Sequence, residues 1–446
     1  MAEPEPEPAA TADLTDLLDW FRGAEGCKLG NLEVAQYEYE GRGLRATADI
    51  KKGNPLLCCP LRLVFSARAA RAEPTLGPVF EQLSLRDDDM LALYLLSERR
   101  KGAASAHAAH IASLPASYDQ TIFWSEDEMA EIAGSNVFTL TQQLREQMRG
   151  DYDALQSALA PFEAVGAAEY SYDDYCWAIA SIWSRSMDLP IPAADGEGVP
   201  TLLRVIGPVA DMLNTQAAAS SSHGYDAESD TLTIAASADA AAGDQLFISY
   251  GEVSNARSLW LYGFTTEDNK HDTVTLYTSM DTAAPSYSKR LKLLSAVGVE
   301  HEVLETCARS AHELSIAEPL PAALLLSLRV QHAPKKLFRL WRDDPEGLKS
   351  ATVPPDAELE RGILEALRAG IVGMLEGYST SLEEDEAAWE RWAPHTQTLA
   401  AVSGHRRRMA LLLRLGEKRI LRASIRAIDT AFNALNFAPA ELDEAD

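Results

Sequence analysis

The residues of this chain best equipped for chemistry are an Asp–Asn turn and the two tyrosines that follow it. Residues 209–214 (VADMLN) are an apolar run that carries a carboxylate, Asp211, and ends on a carboxamide, Asn214, the pattern of a buried turn with polar tips. Residues 244–250 (DQLFISY) alternate as a β-strand does, with Leu246 and Ile248 on one face and Phe247 and Ser249 on the other. The strand delivers Tyr250 at its end, just before Gly251, and Tyr262 follows in LYGF after a short helical stretch from Asn255. Phenol rings so placed can line a narrow, desolvated channel, and removal from water shifts an amine toward its neutral form. His107 and His110 lie at i,i+3 and could share a metal ion. No further cysteine, histidine or acidic motif joins them, so they are expected on a solvated helix face.

Several elements must position these groups. Leu14, Leu17, Leu18 and Phe21 recur at helical spacing, closed by Gly23 and Gly26. Residues 40–53 (EGRGLRATADIKKG) place two glycines one residue apart, ahead of an apolar strand at residues 56–59. Taken alone, G-x-G signals only a tight turn. From residue 87 to 187 the pattern is helical, Ser125 and Glu128 form a capping box, and Trp177 and Trp183 read as core. Residues 271–277 read as a strand that closes the sheet, and beyond residue 286 the pattern is helical again. Arg406, Arg407, Arg408, Arg414, Lys418, Arg419, Arg422 and Arg426 crowd the last stretch, as a solvated face that pairs with the acidic run from Glu383.

Composition narrows the function. A net charge of −27 over 446 residues argues against nucleic acid as the direct ligand, because phosphate backbones need a basic face. An acidic surface suits a basic protein segment instead. The five cysteines are odd in number and form no C-x-x-C, which is the usage of a reduced intracellular protein. The opening MAEPEPEPAATAD has the character of neither a signal nor a transit peptide, and no apolar run approaches a membrane span. The expectation is a cytoplasmic monomer, also able to be nuclear, with no membrane contact and no metal.

Taken jointly, AD-x-x-N, GDQLFISYG, SNA and YGF resemble the second half of a SET methyltransferase domain. The class is the one that includes Rubisco large-subunit lysine methyltransferase and the actin-histidine methyltransferase. EGRGLRATADI resembles the opening of the same domain, and GEKRIL, near the C-terminal end, resembles its helical substrate-binding partner. The resemblance implies an α+β chain: a β-rich SET domain with a pseudoknot-like core, split by a helical insert, then an all-α substrate-binding domain. The expected boundaries are an acidic tail at 1–13, SET halves at 14–86 and 188–285, the insert at 87–187, the helical domain at 286–437 and a second tail at 438–446.

The resemblance also implies roles. S-adenosylmethionine is the expected methyl donor, held by Glu40, Gly41, Arg42, Gly43, Asp211, Asn214, Thr215 and Tyr250, with Arg42 acting through its backbone. Arg185, Met187, Ala210, Asp211 and Tyr262 border the channel for the target side chain, and Tyr250 and Tyr262 are the catalytic pair. Tyr250 is expected to orient the reaction, not to act as a base. Thr215 departs from the pattern, since most members carry histidine there. EGRGLRATADI resembles the actin-histidine enzyme more than the Rubisco one. Met187 and Tyr262 instead imply a narrow apolar and aromatic bore, which suits an unbranched lysine stem. A protein lysine is therefore the expected acceptor, with a protein histidine, or an inactive protein-binding module, as the alternatives.

Overall fold

The computed structural model describes residues 14–37, 40–162, 170–192, 199–216, 218–350, 356–392 and 402–437, so both acidic tails lie outside the described residues. These residues form two compact units. The first comprises the described parts of Met1–Phe123, Gln142–Val253 and Trp260–Gly263; the second those of Trp124–Thr141, Ser254–Leu259 and Phe264–Asp446. Among the described residues no helix is long and apolar enough to cross a membrane.

The first unit is built on small sheets. One orders Lys28–Leu29, Pro55–Pro60, Thr231–Ala236 and Ser221–Asp226; another orders Leu32–Tyr37, Gly41–Ala46, Gln245–Ile248 and Asn214–Thr215. Their inward residues, among them Leu44, Leu57, Leu232, Leu246 and Ile248, share one core. The alternation of residues 244–250 does what its period requires: Leu246 and Ile248 are buried while Gln245 and Phe247 are only partly so. A third sheet orders Phe65–Ser66, Thr201–Ile206 and Met187–Ile191.

Beside the sheets, Asp87–Lys101 packs on Tyr172–Arg185 around a second core. Asp87–Lys101 carries three aspartates in its first turn and three cations in its last, matching the helix dipole at both ends. Tyr172–Arg185 starts on a Ser171–Asp174 capping box, and its last residue is Arg185. That helix start and stop decide where Arg185 emerges.

The second unit is helical, as expected, but it also holds a three-stranded sheet. Val274–Asp281 pairs antiparallel with Cys307–Leu314 from Val274↔Leu314 to Asp281↔Cys307, and Glu302–Val303 pairs on the far side. The strand expected to close the SET sheet therefore belongs here. Cys307–Leu314 (CARSAHEL) alternates strictly, yet its buried positions are Ala308, Ser310, His312 and Leu314, too small and polar to announce a strand. Ser125 and Glu128 form the expected capping box.

The long helix Val402–Phe437 meets the acidic run as expected on its outer face, where Arg422 pairs with Glu383 at 2.9 Å and Arg419 with Glu386 at 3.3 Å. Its inner members are buried instead. Lys418 reaches Asp385 at 2.6 Å and Arg414 reaches the same carboxylate at 3.0 Å. Next to them Glu417 accepts hydrogen bonds from Ser135 (2.8 Å) and Tyr378 (2.9 Å). Burial, reinforced by the Asp272 charge and opposed by those hydrogen bonds, pushes the Glu417 carboxyl up to about 7.

The folded state thus holds a proton on Glu417 that the unfolded chain releases near pH 4.5. This favours folding below that pH, and the advantage fades as pH rises through 7. Glu417→Gln is isosteric with the protonated form. It is expected to flatten the fall in stability between pH 5 and 8 and to leave the variant more stable at pH 8, by on the order of 3 kcal/mol at most. Thermal unfolding of both proteins across that range measures it.

Candidate active site

Gln245–Ile248 runs between two strands and so brings distant segments together. It pairs antiparallel with Gly41–Ala46 (Leu246↔Leu44) and parallel with Asn214–Thr215 (Phe247↔Asn214, Ile248↔Thr215). Asn214 Nδ2 donates to the Arg42 carbonyl at 3.1 Å. Tyr250 is held from the same side at both ends: its N–H donates to Thr215 Oγ1 at 3.0 Å and its hydroxyl to the Leu213 carbonyl at 2.8 Å. Gly43 lets the chain pass close to these side chains, since a Cβ there would lie 2.6 Å from Asn214 Nδ2 and 2.8 Å from Gln245 Nε2 and would push them aside. Gly41 turns the chain at φ +71°, and Glu40 sits exposed on that turn. The segments around Arg42, Asn214 and Tyr250 that the sequence singles out are therefore adjacent.

The Asp211 turn is strained. Val209, β-branched and fully buried, has φ +66°, a backbone conformation worth roughly 1–3 kcal/mol of strain in a non-glycine residue. The turn is fixed by Asp211 N–H donating to Gly207 O at 3.0 Å and Met212 N–H to Val209 O at 3.1 Å. Arg185 arrives from its helix end to donate to the Asp211 carbonyl at 3.0 Å and to Oδ2 at 3.3 Å. His110 Nε2 stands 3.4 Å from the same Oδ2.

These contacts set the local charges. Burial alone would raise the Asp211 carboxyl, but His110 and Arg185 outweigh it and hold the group below its ordinary value. Burial would lower the Arg185 guanidinium, but Asp211 and the Tyr118 hydroxyl keep it charged. Arg42 is lowered by burial and by the nearby Arg185 charge. Tyr250 is pushed up to about 12, chiefly by burial, with Arg185 opposing and Tyr262 and Asp211 adding to it. Its ring centroid lies 4.9 Å from that of Tyr262. Tyr262 is carried there by Gln120 Nε2 donating to Leu261 O at 2.8 Å, and by Gly263, whose φ of +80° lets the chain lie against the Asp119 backbone. Met187, Ala210 and Tyr250 pack in one core.

Two histidines overturn the sequence reading. His107 and His110 are 3% and 0% exposed, not on a solvated face. His107 Nε2 meets the Tyr94 hydroxyl at 3.0 Å, and the Phe65 ring lies against both imidazoles at 4.5 and 5.5 Å. A signal was available: residues 102–113 contain no charged side chain, whereas a solvated helix face carries several. Among the described residues no group of histidine, cysteine and acidic side chains is arranged to hold a metal ion.

Near the junction, four buried polar atoms have no hydrogen-bond partner among the described residues: the Tyr37 hydroxyl, Gln245 Nε2, Arg185 Nε and Asp211 Oδ1. Each such atom costs about 1–3 kcal/mol if it stays unpaired.

Comparison with known proteins agrees with this geometry. Residues 41–251 match the SET domain family, and residues 281–421 match the family described as Rubisco LSMT substrate-binding. The chain is a SET-domain protein. More narrowly, it belongs with those whose SET domain is followed by a Rubisco LSMT substrate-binding domain. The actin-histidine N-methyltransferase of Gallus gallus is 29% identical over 433 residues, spanning 92% of this chain and 68% of that protein. The Homo sapiens protein of the same name is also 29% identical, over 434 residues. The crystal structure of the SET domain of LSMT bound to lysine and AdoHcy shares the fold, with a TM-score of 0.78 at 23% identity over 96% of this chain and 93% of that one. Rubisco LSMT bound to AdoMet gives 0.78 at 24% over 95% and 93%.

Thr215, the departure from the family pattern, has a local task in this chain as the acceptor for Tyr250 N–H. Thr215→Val keeps the shape and removes the acceptor, so it is expected to cost about 1 kcal/mol of stability. Thr215→Ser is expected to cost less than half as much. Denaturant unfolding of the two variants against the parent checks this.

Proposed function

We propose that this chain is an S-adenosylmethionine-dependent protein N-methyltransferase whose acceptor is a histidine side chain. The donor would lie against Gly43 and Asn214, with the unpaired Gln245 and Tyr37 groups as further polar partners. Glycine at position 43 leaves the room, and the carboxamide of Asn214 is already turned to the Arg42 carbonyl. When bound, the sulfonium supplies an electrophilic methyl group and its own leaving group. What remains for the protein is alignment, dryness and a neutral nucleophile. Alignment of reacting groups is worth on the order of 7–11 kcal/mol in favourable cases.

Tyr250 fits an orienting role. Its hydroxyl proton is given to Leu213 O, and with its pKa pushed up to about 12 it stays protonated at neutral pH and cannot serve as a base. Its oxygen contributes lone pairs, and its ring, with that of Tyr262, contributes an aromatic wall.

The choice of histidine rests on one observation: the carboxylate of the site, Asp211, is already committed to a guanidinium and an imidazole, while Arg42 and Arg185 both stand near it. A lysine ammonium entering there meets excess positive charge. It also finds no strong base, since the Asp211 carboxyl is held below its ordinary value and Tyr250 is held protonated. Neutralising lysine beforehand costs roughly 4.6 kcal/mol at pH 7, whereas an imidazole, with a pKa near 6.5, is already mostly neutral. The names of the relatives at 29% identity point the same way and make actin the first protein to test. Lysine stays as the second reading because of the close Tyr250–Tyr262 pair, which with Met187 narrows the bore.

Mass spectrometry of actin and of whole-cell extract, after incubation with isotopically labelled donor, reads protein and residue together. Labelled histidine is the expected result, and label on lysine alone would select the second reading. No label, with no donor binding at millimolar concentration, would leave a protein-binding module. Tyr250→Phe is expected to lower turnover at least tenfold, about 1.4 kcal/mol in the barrier, with donor affinity nearly unchanged. Single-turnover kinetics and calorimetry separate the two quantities.

A further inference from the structure

Cys27 and Cys59 stand opposite each other across two antiparallel strands of the first unit. Lys28 pairs with Cys58 and Leu29 with Leu57, so the next step of the register sets Cys27 against Cys59. Gly30 N–H donates to the Leu56 carbonyl at 2.8 Å, which makes Gly30 with Leu56, and Lys28 with Cys58, the hydrogen-bonded pairs. Cys27 and Cys59 then form a pair of the other kind, in which Cα atoms lie about 4.5 Å apart and side chains come closest. A disulfide spans Cα separations of about 4.4–6.8 Å. The alignment holds one step further on, because a Cβ on Gly26 would lie 2.9 Å from Pro60 Cγ.

The two thiols share one core and differ in exposure. Both are free; Cys59 is fully buried, and Cys27 is half-buried at the edge of the same cluster. Hydrogen bonding with Cys59 holds the Cys27 thiol below its ordinary value against the effect of burial, and the Arg62 guanidinium assists. The same hydrogen bond, with burial, pushes the Cys59 thiol up. Arg62 is kept at this end of the strands by donating to the Glu25 carbonyl. Cys27 is therefore the partner that solvent reaches and that forms a thiolate, which is the reactive form. Cys58 is only partly buried and faces the other side of the strand, since successive strand residues alternate.

We propose that Cys27 and Cys59 are an oxidant-sensitive pair that hydrogen peroxide joins as a disulfide, stapling the segment after the first helix to the strand Pro55–Pro60. The Cys27 thiolate attacks one peroxide oxygen; the O–O bond breaks, the other oxygen leaves as water with the thiol's proton, and Cys27 becomes a sulfenic acid. The Cys59 sulfur then displaces that hydroxyl from Cys27. The S–S bond forms as the S–O bond breaks, and the Cys59 proton leaves with the oxygen as a second water. Two thiols are oxidised and one peroxide is reduced. The bond closes the loop of residues 28–58, which carries the paired strands Leu32–Tyr37 and Gly41–Ala46. Closing it restricts the unfolded chain and so stabilises the fold. No part of this depends on methyl transfer.

The test exposes the folded full chain to graded hydrogen peroxide. Catalase ends the exposure, and the chain is then unfolded in the presence of N-ethylmaleimide and digested without reductant. Mass spectrometry is expected to show loss of two of the five alkylatable thiols and a peptide pair linked through Cys27 and Cys59, which dithiothreitol separates. Cys58→Ser should form the same link, whereas Cys27→Ser should leave Cys59 reduced. Thermal unfolding of the oxidised parent should come several degrees above that of the reduced parent, and Cys27→Ser should show no such difference after the same treatment.

Cys27 found as sulfinic or sulfonic acid beside a reduced Cys59 would overturn the pairing. So would a link from Cys27 to Cys58 or to a second copy of the chain, or survival of both thiols at peroxide concentrations that oxidise the exposed methionines. A Cys27–Cys59 link with no rise in the unfolding temperature would overturn the staple. The peptide map of the parent needs no variant, so a misfolded Cys27→Ser protein does not blunt the result.

Discussion

The buried pair between Arg185 and Asp211 is the constraint on which the site depends. Taking one partner from such a pair costs about 3–5 kcal/mol, because the other is left charged in a dry place. Here the guanidinium does more than balance a charge, since it also donates to the Asp211 carbonyl and so braces a turn in which Val209 is held at positive φ. The helix from Tyr172 to Arg185 is thereby fastened to the turn that leads into Asn214 and Thr215. Those residues hold Arg42 and Tyr250 in their turn.

The two units treat buried charge in opposite ways. In the first, Arg42 and Arg185 outnumber the single carboxylate of Asp211, and the local surplus is positive. In the second, Asp385 is closely met by both Lys418 and Arg414, and Glu417 is relieved of its charge by protonation near neutral pH. The second arrangement is satisfied within itself and reads as architecture. The first is satisfied only in part, since Asp211 Oδ1 and Arg185 Nε have no partner among the described residues.

Much of this was legible in the sequence, for reasons that differ from residue to residue. Gln245–Ile248 shows itself by alternation because one of its faces is buried and the other is only half so. Gly43 is legible as a close approach only in the company of the other motifs; alone it reads as a turn. Ser125 and Glu128 show themselves because a capping box is a local device, complete within four residues. What the sequence hid was non-local. His110 meets a carboxylate 101 positions away, and although the uncharged stretch at 102–113 speaks for burial, no local pattern points to that partner. Val209 looks like any core valine, because its backbone angle is imposed by Arg185 and the surrounding core. Thr215 reads as a missing histidine until its hydroxyl is seen accepting from Tyr250.

The strand Gly41–Ala46 pairs with its sequence neighbour Leu32–Tyr37 on one side, but on the other it waits for Gln245–Ile248. Even the contact between Arg42 and Asn214 closes over 172 positions. A chain emerging from the ribosome therefore carries this edge bare for roughly two hundred residues of its synthesis, with unpaired amides and carbonyls open to any other strand. Non-local pairing of this kind is slow to form. Arg42 and Arg45 on that strand, and the glutamate that Arg45 holds at 2.7 Å on its neighbour, place charge along it during the wait. The same glycine strand that passes close to Asn214 and Gln245 in the finished protein is, in the unfinished one, an open edge that must be kept from pairing elsewhere.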